Sequence, residues 1–221
     1  MNALLGGIKD AVTGSYYSTI KFAAGTTLAA AYSFFNAGLS QPDPYPLPLN
    51  TTTSPLSKVE TNFVGNNAGS GLSAPFDLVI ESVGVYVHPE TIKADLDILT
   101  LYSYFEFTIL QKVQWDGKLE AYPAGMGYSG FTSQSNESGW QTGLPDPNST
   151  KRFGRFGKYL APQLMFGFSI YFPPTSGPLA GAPGALVPVA PTLTSGSATP
   201  TPGVGTWLRA HMFGILGRPV S

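Results

Sequence analysis

The sequence predicts an all-β fold, a single jelly-roll-like β-sandwich with long loops and an N-terminal arm. Three observations predict it. Residues 76–87, 102–110, 164–172 and 206–216 set large apolar side chains at every second position, the period of a strand with one buried face. Glycine and proline, 26 and 20 of 221 residues, make up about 21% of the chain against roughly 12% on average, and they punctuate these runs as turns. Only 11% of residues are charged, less than half the usual ~25% and too few for a salt-bridged helical bundle. With 43% hydrophobic and 13% aromatic residues, the chain can still bury a core of ordinary size.

The elements follow in order. Leu4, Leu5, Ile8 and Val12 stand at helical spacing, while Gly6 and Gly7 each cost such a helix about 1 kcal/mol relative to alanine. Residues 1–17 therefore read as an N-terminal arm or short helix, and residues 18–221 as the sandwich. Residues 22–39 carry no charge, which makes them a membrane-span or signal-core candidate by length. Gly25, Thr26, Thr27, Ser33, Asn36 and Gly38 dilute that signal. The preferred reading is two short strands, 18–23 and 28–35. Pro42, Pro44, Pro46 and Pro48 alternate along residues 41–49, a pattern that admits neither helix nor central strand and predicts an extended strap. Residues 50–74 read as loop with one short strand at 59–64.

The β signal then strengthens. Phe76, Leu78 and Ile80 share a face, after which Val83, Val85 and Val87 continue in shifted phase; a β-bulge near Glu81 and Ser82 produces such a shift. Residues 89–97 suggest a short helix with Pro89 and Glu90 in its first turn. Phe105, Phe107 and Ile109 alternate with Tyr104, Glu106 and Thr108. Leu164, Phe166, Phe168, Ile170 and Phe172 line one face of a half-buried antiparallel strand. In the last strand Leu208, Ala210, Met212 and Leu216 oppose Trp207, Arg209, His211, Phe213 and Ile215. Both faces are substantial, so this strand is expected mid-sheet or at an interface. Residues 173–205 form an uncharged insertion rich in Pro, Gly, Ala, Ser and Thr. It cannot pack a core of its own and is expected to lie against another surface.

The chemistry is sparse. With no cysteine, disulfides, cysteine zinc sites and thiol nucleophiles are excluded. No phosphate loop, dinucleotide fingerprint, nucleophile elbow or zinc-protease motif occurs. His88 and His211 stand far apart and read as structural. Asp95 and Asp97 have a spacing seen at oxygen-ligand cation sites, and a solvated loop explains them more simply. Glu106 suits half of a glycosidase carboxylate pair, with no second carboxylate assignable. No metal, cofactor or catalytic residue is assigned, and the chain is expected not to be an enzyme.

Two sets of residues are candidates for contact. Lys151, Arg152, Phe153, Arg155, Phe156 and Lys158 place four cations and two aromatics in eight residues. Phosphates, stacked bases, anionic lipid or the acidic face of a neighbour would all suit them. A solvated basic loop is the plain alternative. A protein neighbour is favoured over nucleic acid, because the chain as a whole is not basic. Trp115, Tyr122 and Trp140, set among Gly, Ser and Asn, are candidate aromatic loop contacts. Charge is also polarised. Residues 1–146 hold six Lys/Arg and all thirteen Asp/Glu, whereas residues 147–221 hold six Lys/Arg and no acid. Copies of such a chain attract one another head to tail, unless the two sets neutralise locally in the fold.

Together, Tyr104-Phe105-Glu106-Phe107-Thr108-Ile109, Tyr122-Pro123-Ala124-Gly125, residues 164–172 and the closing stretch from Trp207 to Val220 resemble the jelly-roll capsid proteins of icosahedral, tailless bacteriophages. The resemblance covers roughly residues 76–220. It implies a virion structural protein that self-assembles through loops and arms, without cofactor. The implied partners are other copies, other capsid proteins and, in membrane-containing members, an internal viral membrane. The alternative is a receptor- or carbohydrate-binding β-sandwich.

Overall fold

Strand pairing dominates the computed structural model, which describes residues 9–22, 28–45, 55–65, 71–88, 91, 93–119, 128–130, 140–142, 151–172 and 206–219. In chain order these form β1 (Lys9–Phe22), β2 (Ala31–Phe34), β3 (Asp77–Val87), α1 (Lys93–Tyr102), β4 (Tyr104–Ile109), β5 (Lys112–Gly117), β6 (Tyr128–Gly130), β7 (Trp140–Thr142), β8 (Lys151–Arg152), β9 (Lys158–Leu160), β10 (Phe166–Tyr171) and β11 (Thr206–Pro219). One antiparallel sheet runs β1–β11–β3, with β8 and β9 both on the far edge of β3. A second runs β2–β10–β4–β5, and among the described residues β6 pairs with β7 alone. The fold is an all-β sandwich.

The core lies between the two main sheets and follows the alternation in the sequence. Ile20, Phe22, Leu78, Ile80, Val83, Val85, Leu208, Ala210 and Met212 come from the five-stranded sheet, and Phe34, Phe105, Phe107, Phe168 and Ile170 from the four-stranded one; all are buried. The rings interlock in edge-on and tilted pairs, with Phe168 5.4 Å from Phe34, 5.9 Å from Phe107 and 6.0 Å from Phe105. Burial of each such side chain stabilises the fold by about 1.5–3 kcal/mol. β11 sits mid-sheet as its two substantial faces predict. The bulge stands where the phase shift puts it: Phe213 opposes Ser82 and Gly214 opposes Ile80, leaving Glu81 over. A Cβ on Gly214 would collide with the Val79 carbonyl oxygen, so glycine permits this close passage.

Other expectations are corrected. Residues 9–17, expected as arm or helix, are the first part of β1, which pairs with β11 along its whole length from Lys9↔Pro219 to Phe22↔Thr206. The inward positions Gly14 and Ser18 interrupt the apolar pattern, and a long partner strand supplies the ladder that propensity did not announce. Residues 59–64 are not a strand but a turn and its exit, with only isolated bridges at Thr61 and Gly65. The Glu60 carboxylate accepts the Ser57 N–H at 2.9 Å and closes that turn. The helix starts later than residues 89–97 suggest, because its buried anchor is Leu99.

The second short strand, β2, spans four residues and ends at Phe34, just before Phe35, whose φ is 57°. The strap is described to Tyr45, whose hydroxyl accepts the Ser33 N–H at 2.7 Å. Its remainder and the insertion at 173–205 lie outside the described residues. Among the described residues no helix is long and apolar enough to cross a membrane. Exposed strand edges template unwanted pairing, and part of the β1 edge is closed by side chains. Asn62 accepts the Tyr17 N–H and donates to the Ser15 carbonyl, each at 2.7 Å, while Thr61 donates to the Tyr17 carbonyl at 2.8 Å.

Candidate interaction surfaces

Residues 151–158 fold as one device on the edge of β3. β8 pairs with Ser82 and Val83, and β9 pairs with Leu78, Val79 and Ile80. The two therefore grip the same strand on either side of Glu81, whose carbonyl accepts the Phe153 N–H at 2.9 Å. The residues between them must loop outward. Gly154 and Gly157 turn with φ of 64° and 66°, where a side chain is strained. At Gly157 space also decides, because a Cβ would lie 2.5 Å from the Ile80 carbonyl oxygen. Phe153 points inward, with its ring 5.4 Å from Phe107. Arg152, Arg155 and Lys158 are exposed. Phe156 is 80% exposed, and the Arg155 guanidinium lies 5.8 Å from its ring centroid. Of the candidate residues, Phe153 is an anchor, and Arg152, Arg155, Phe156 and Lys158 are displayed. The Lys151 side chain lies outside the described residues.

The aromatic candidates separate. Trp115 is a strand residue opposite Phe107, half-buried against the core. Tyr122 lies outside the described residues, as does the side chain of Trp140, whose backbone is in β7. Asp95 is buried in the first turn of α1, where a carboxylate favours the helix dipole. The Asp97 side chain lies outside the described residues. No group of three or more metal-ligating side chains occurs among the described residues.

A second carboxylate does stand beside Glu106. On the outer face of the four-stranded sheet, Glu106 is in register with Asp116 on one side and Ser169 on the other. Tyr104 and Tyr171 are also cross-strand partners on that face, 41% and 38% exposed. The Tyr104 hydroxyl donates to the Asp116 carboxylate. That bond, together with burial and the two nearby negative charges, raises the Tyr104 pKa. Glu106 makes no hydrogen bond or ion pair among the described residues.

The outer face of the five-stranded sheet is arranged differently. Trp207, Arg209, His211 and Phe213 form a row along β11, flanked by Tyr17 and Thr19 of β1 and Tyr86 of β3. Arg209 donates from Nε to Thr19 Oγ1 at 2.9 Å and from a terminal nitrogen to the Val59 carbonyl at 2.8 Å. Its guanidinium lies 4.7 Å from the Trp207 ring centroid and 5.4 Å from that of Tyr17. Burial lowers its pKa, against the pull of Tyr17 and Glu60.

His211 stacks on Phe213 at 5.3 Å and touches the rings of Tyr86 and Tyr17 at 4.8 and 5.4 Å. Its Nδ1 is buried without a hydrogen-bond partner among the described residues. Burial first, and the Arg209 charge second, lower its pKa to about 4, so the ring is neutral near pH 7. His88, whose ring lies 5.1 Å from Trp207, is at the other end of the row. Both histidines are packing residues here. The row was foreshadowed only by the bulk on both faces of the last strand.

Comparison of the chain with protein-family models, with curated proteins and with solved structures finds no match.

Proposed function

We propose that the protein is a structural subunit of a virion, a jelly-roll shell protein that assembles with copies of itself. The pairing scheme supports the jelly-roll part of this reading. β1 pairs with β11, β2 with β10, β3 with β8 and β9, and β4 with β5. These are the successive rungs of one long antiparallel ribbon folded at its β4–β5 end. Alternate rungs fall in alternate sheets, and β11–β3 and β10–β4 pairing joins neighbouring turns of the roll. Rolling a ribbon in this way gives two four-position sheets and long crossing connections.

A fold alone does not assign a function. The observation that carries the assembly reading is the placement of exposed apolar side chains. Phe156, Val59, Leu110 and Met165 are exposed, and each sits at a turn or just before a strand. On a chain with 11% charged residues, such a rim suits burial against neighbours better than contact with water. In this reading the protein works in the virion, needs no cofactor, and contacts other copies and other shell proteins. An internal membrane is a further partner if the particle contains one.

Multi-angle light scattering and negative-stain microscopy of the full chain over a range of concentrations test this. Discrete oligomers or closed particles are expected. A stable monomer at high concentration overturns the reading, and a monomer that binds glycans replaces it with the carbohydrate-binding one.

A further inference from the structure

Resting on the assembly reading, we propose that the Arg155–Phe156 turn of one copy seats on the Glu106–Asp116 face of a second copy. Among the described residues, two surfaces of opposite charge form no ion pair. On the turn, Arg155 and Lys158 are exposed and form no ion pair among the described residues. On the four-stranded sheet, Glu106 and Asp116 stand directly opposite each other across the β4–β5 pair. Like charges in that relation destabilise a sheet, and the Tyr104 hydroxyl on Asp116 leaves both negative charges in place. A guanidinium brought between them would reverse the sign of the interaction, because arginine presents a planar fork of donors to carboxylates.

The apolar parts match as well. Phe156 stands 80% exposed beside Arg155. The receiving face offers Tyr104, Tyr171 and Val113, all exposed. Val113 shares that face because it is in register with Thr108. Phenylalanine and arginine are both enriched at interfaces relative to the rest of a protein surface. The turn is held by two strands and two positive-φ glycines, so little order is lost on docking.

Membrane lipid and polynucleotide also offer anions, but neither accounts for the paired carboxylates on the other sheet; a second copy accounts for both. The two surfaces differ and belong to different sheets, so unless two copies make the contact reciprocally it is heterologous. It propagates from copy to copy until a rotation closes a ring, which is what a shell requires of its subunits.

A reciprocal charge swap in the full chain tests the pairing. Arg155→Glu with Lys158→Glu makes the turn negative, and Glu106→Lys with Asp116→Lys makes the face positive. Each double variant alone should associate with itself at least about tenfold more weakly than the natural chain in sedimentation velocity. Mixed together they should associate again, since each then supplies the partner that the other lacks. The natural contact should also weaken with added salt, the Debye length falling to about 3 Å at 1 M.

Circular dichroism and thermal melts confirm that the variants are folded before mixing. If the natural chain assembles and both folded variants assemble equally well, the docking is wrong and the shell reading stands. If folded variants dissociate but the mixture does not recover, the pairing is wrong. If the turn variant keeps its self-association but loses binding to phosphatidylserine vesicles or to polyuridylate, the turn serves that anion instead and the proposal falls. A natural chain that never associates removes the shell reading itself.

Discussion

On the outer face of the five-stranded sheet Arg209 reaches a hydroxyl, a carbonyl and two rings. On the outer face of the four-stranded sheet Glu106 reaches no hydrogen-bond partner among the described residues. Both residues are the outward-pointing kind on a strand with one buried face. What separates them is cover. The turn at residues 57–60 and the segment after it fold along β1, and they bring the Val59 carbonyl to the guanidinium. Nothing comparable reaches Glu106 among the described residues. An ionisable group on a sheet face joins the fold where a second segment crosses it, and stays surface chemistry where none does.

Four substitutions break or sharpen this contrast. The largest effect falls on the wall both faces share: Phe168→Ala removes the ring between Phe34, Phe105 and Phe107 and should cost about 3–5 kcal/mol in urea unfolding. A loss below 1 kcal/mol would mean that the core collapses to fill the space and the two faces are not jointly supported.

Next in size is a pH effect confined to the covered face. The His211 pKa is about 4 folded, against an ordinary 6.5. The unfolded chain therefore takes up the proton first as pH falls. Stability is full above pH 6.5 and declines towards pH 4 by at most about 3 kcal/mol. The Glu60 pKa is lowered although burial opposes it, because hydrogen bonds from Ser57 and Lys21 outweigh burial. Its contribution is present above the ordinary 4.5 and is lost as pH falls below that value. Of these two groups, only the imidazole contributes a loss between pH 6.5 and 4.5. His211→Phe should flatten the stability profile there, and an unchanged profile would refute the assignment.

The direct comparison of the two faces follows. Arg209→Met keeps the aliphatic stem and removes two hydrogen bonds and two ring contacts, for an expected loss of about 2 kcal/mol. Glu106→Gln removes one of two facing carboxylates and should raise stability by about 0.5 kcal/mol. Chemical denaturation of both variants reads the difference in sign. If both destabilise alike, the four-stranded face is as internally satisfied as the other.

The sequence made some of this legible and hid the rest for physical reasons. The Glu81 bulge could be read because Ile80 and Val83 break the period of two locally. The buried face of β10 could be read because phenylalanine or isoleucine holds every second position. β1 could not, since Gly14 and Ser18 occupy inward positions and its order comes from β11. The β4–β5 hairpin was hidden by its turn, Leu110 and Gln111, with φ of 49° and 62°. That geometry ordinarily calls for asparagine and glycine.

The basic cluster was visible as composition. Its division into the anchors Phe153 and Gly157 and the displayed Arg155, Phe156 and Lys158 depends on β3, some seventy residues earlier in the chain. The carboxylate beside Glu106 needed the register of β5, which a two-residue turn and a bulge determine. The Arg209 row needed Thr19 and Val59, brought in by register and by a distant turn.

The pairing of β1 with β11 also sets a clock. Residues 9–22 take their full-length ladder partner from residues 206–219. At translation rates of about 5–20 residues per second, the first strand waits roughly 10–40 s on the ribosome for the last. Contacts of such sequence separation form slowly even then. β3, which carries the basic turn, is flanked on its other side by that same last strand. A nascent chain therefore has no finished five-stranded sheet from which to present the turn. Under the assembly proposed above, synthesis of residues 206–219 is the checkpoint that keeps unfinished copies from joining one another.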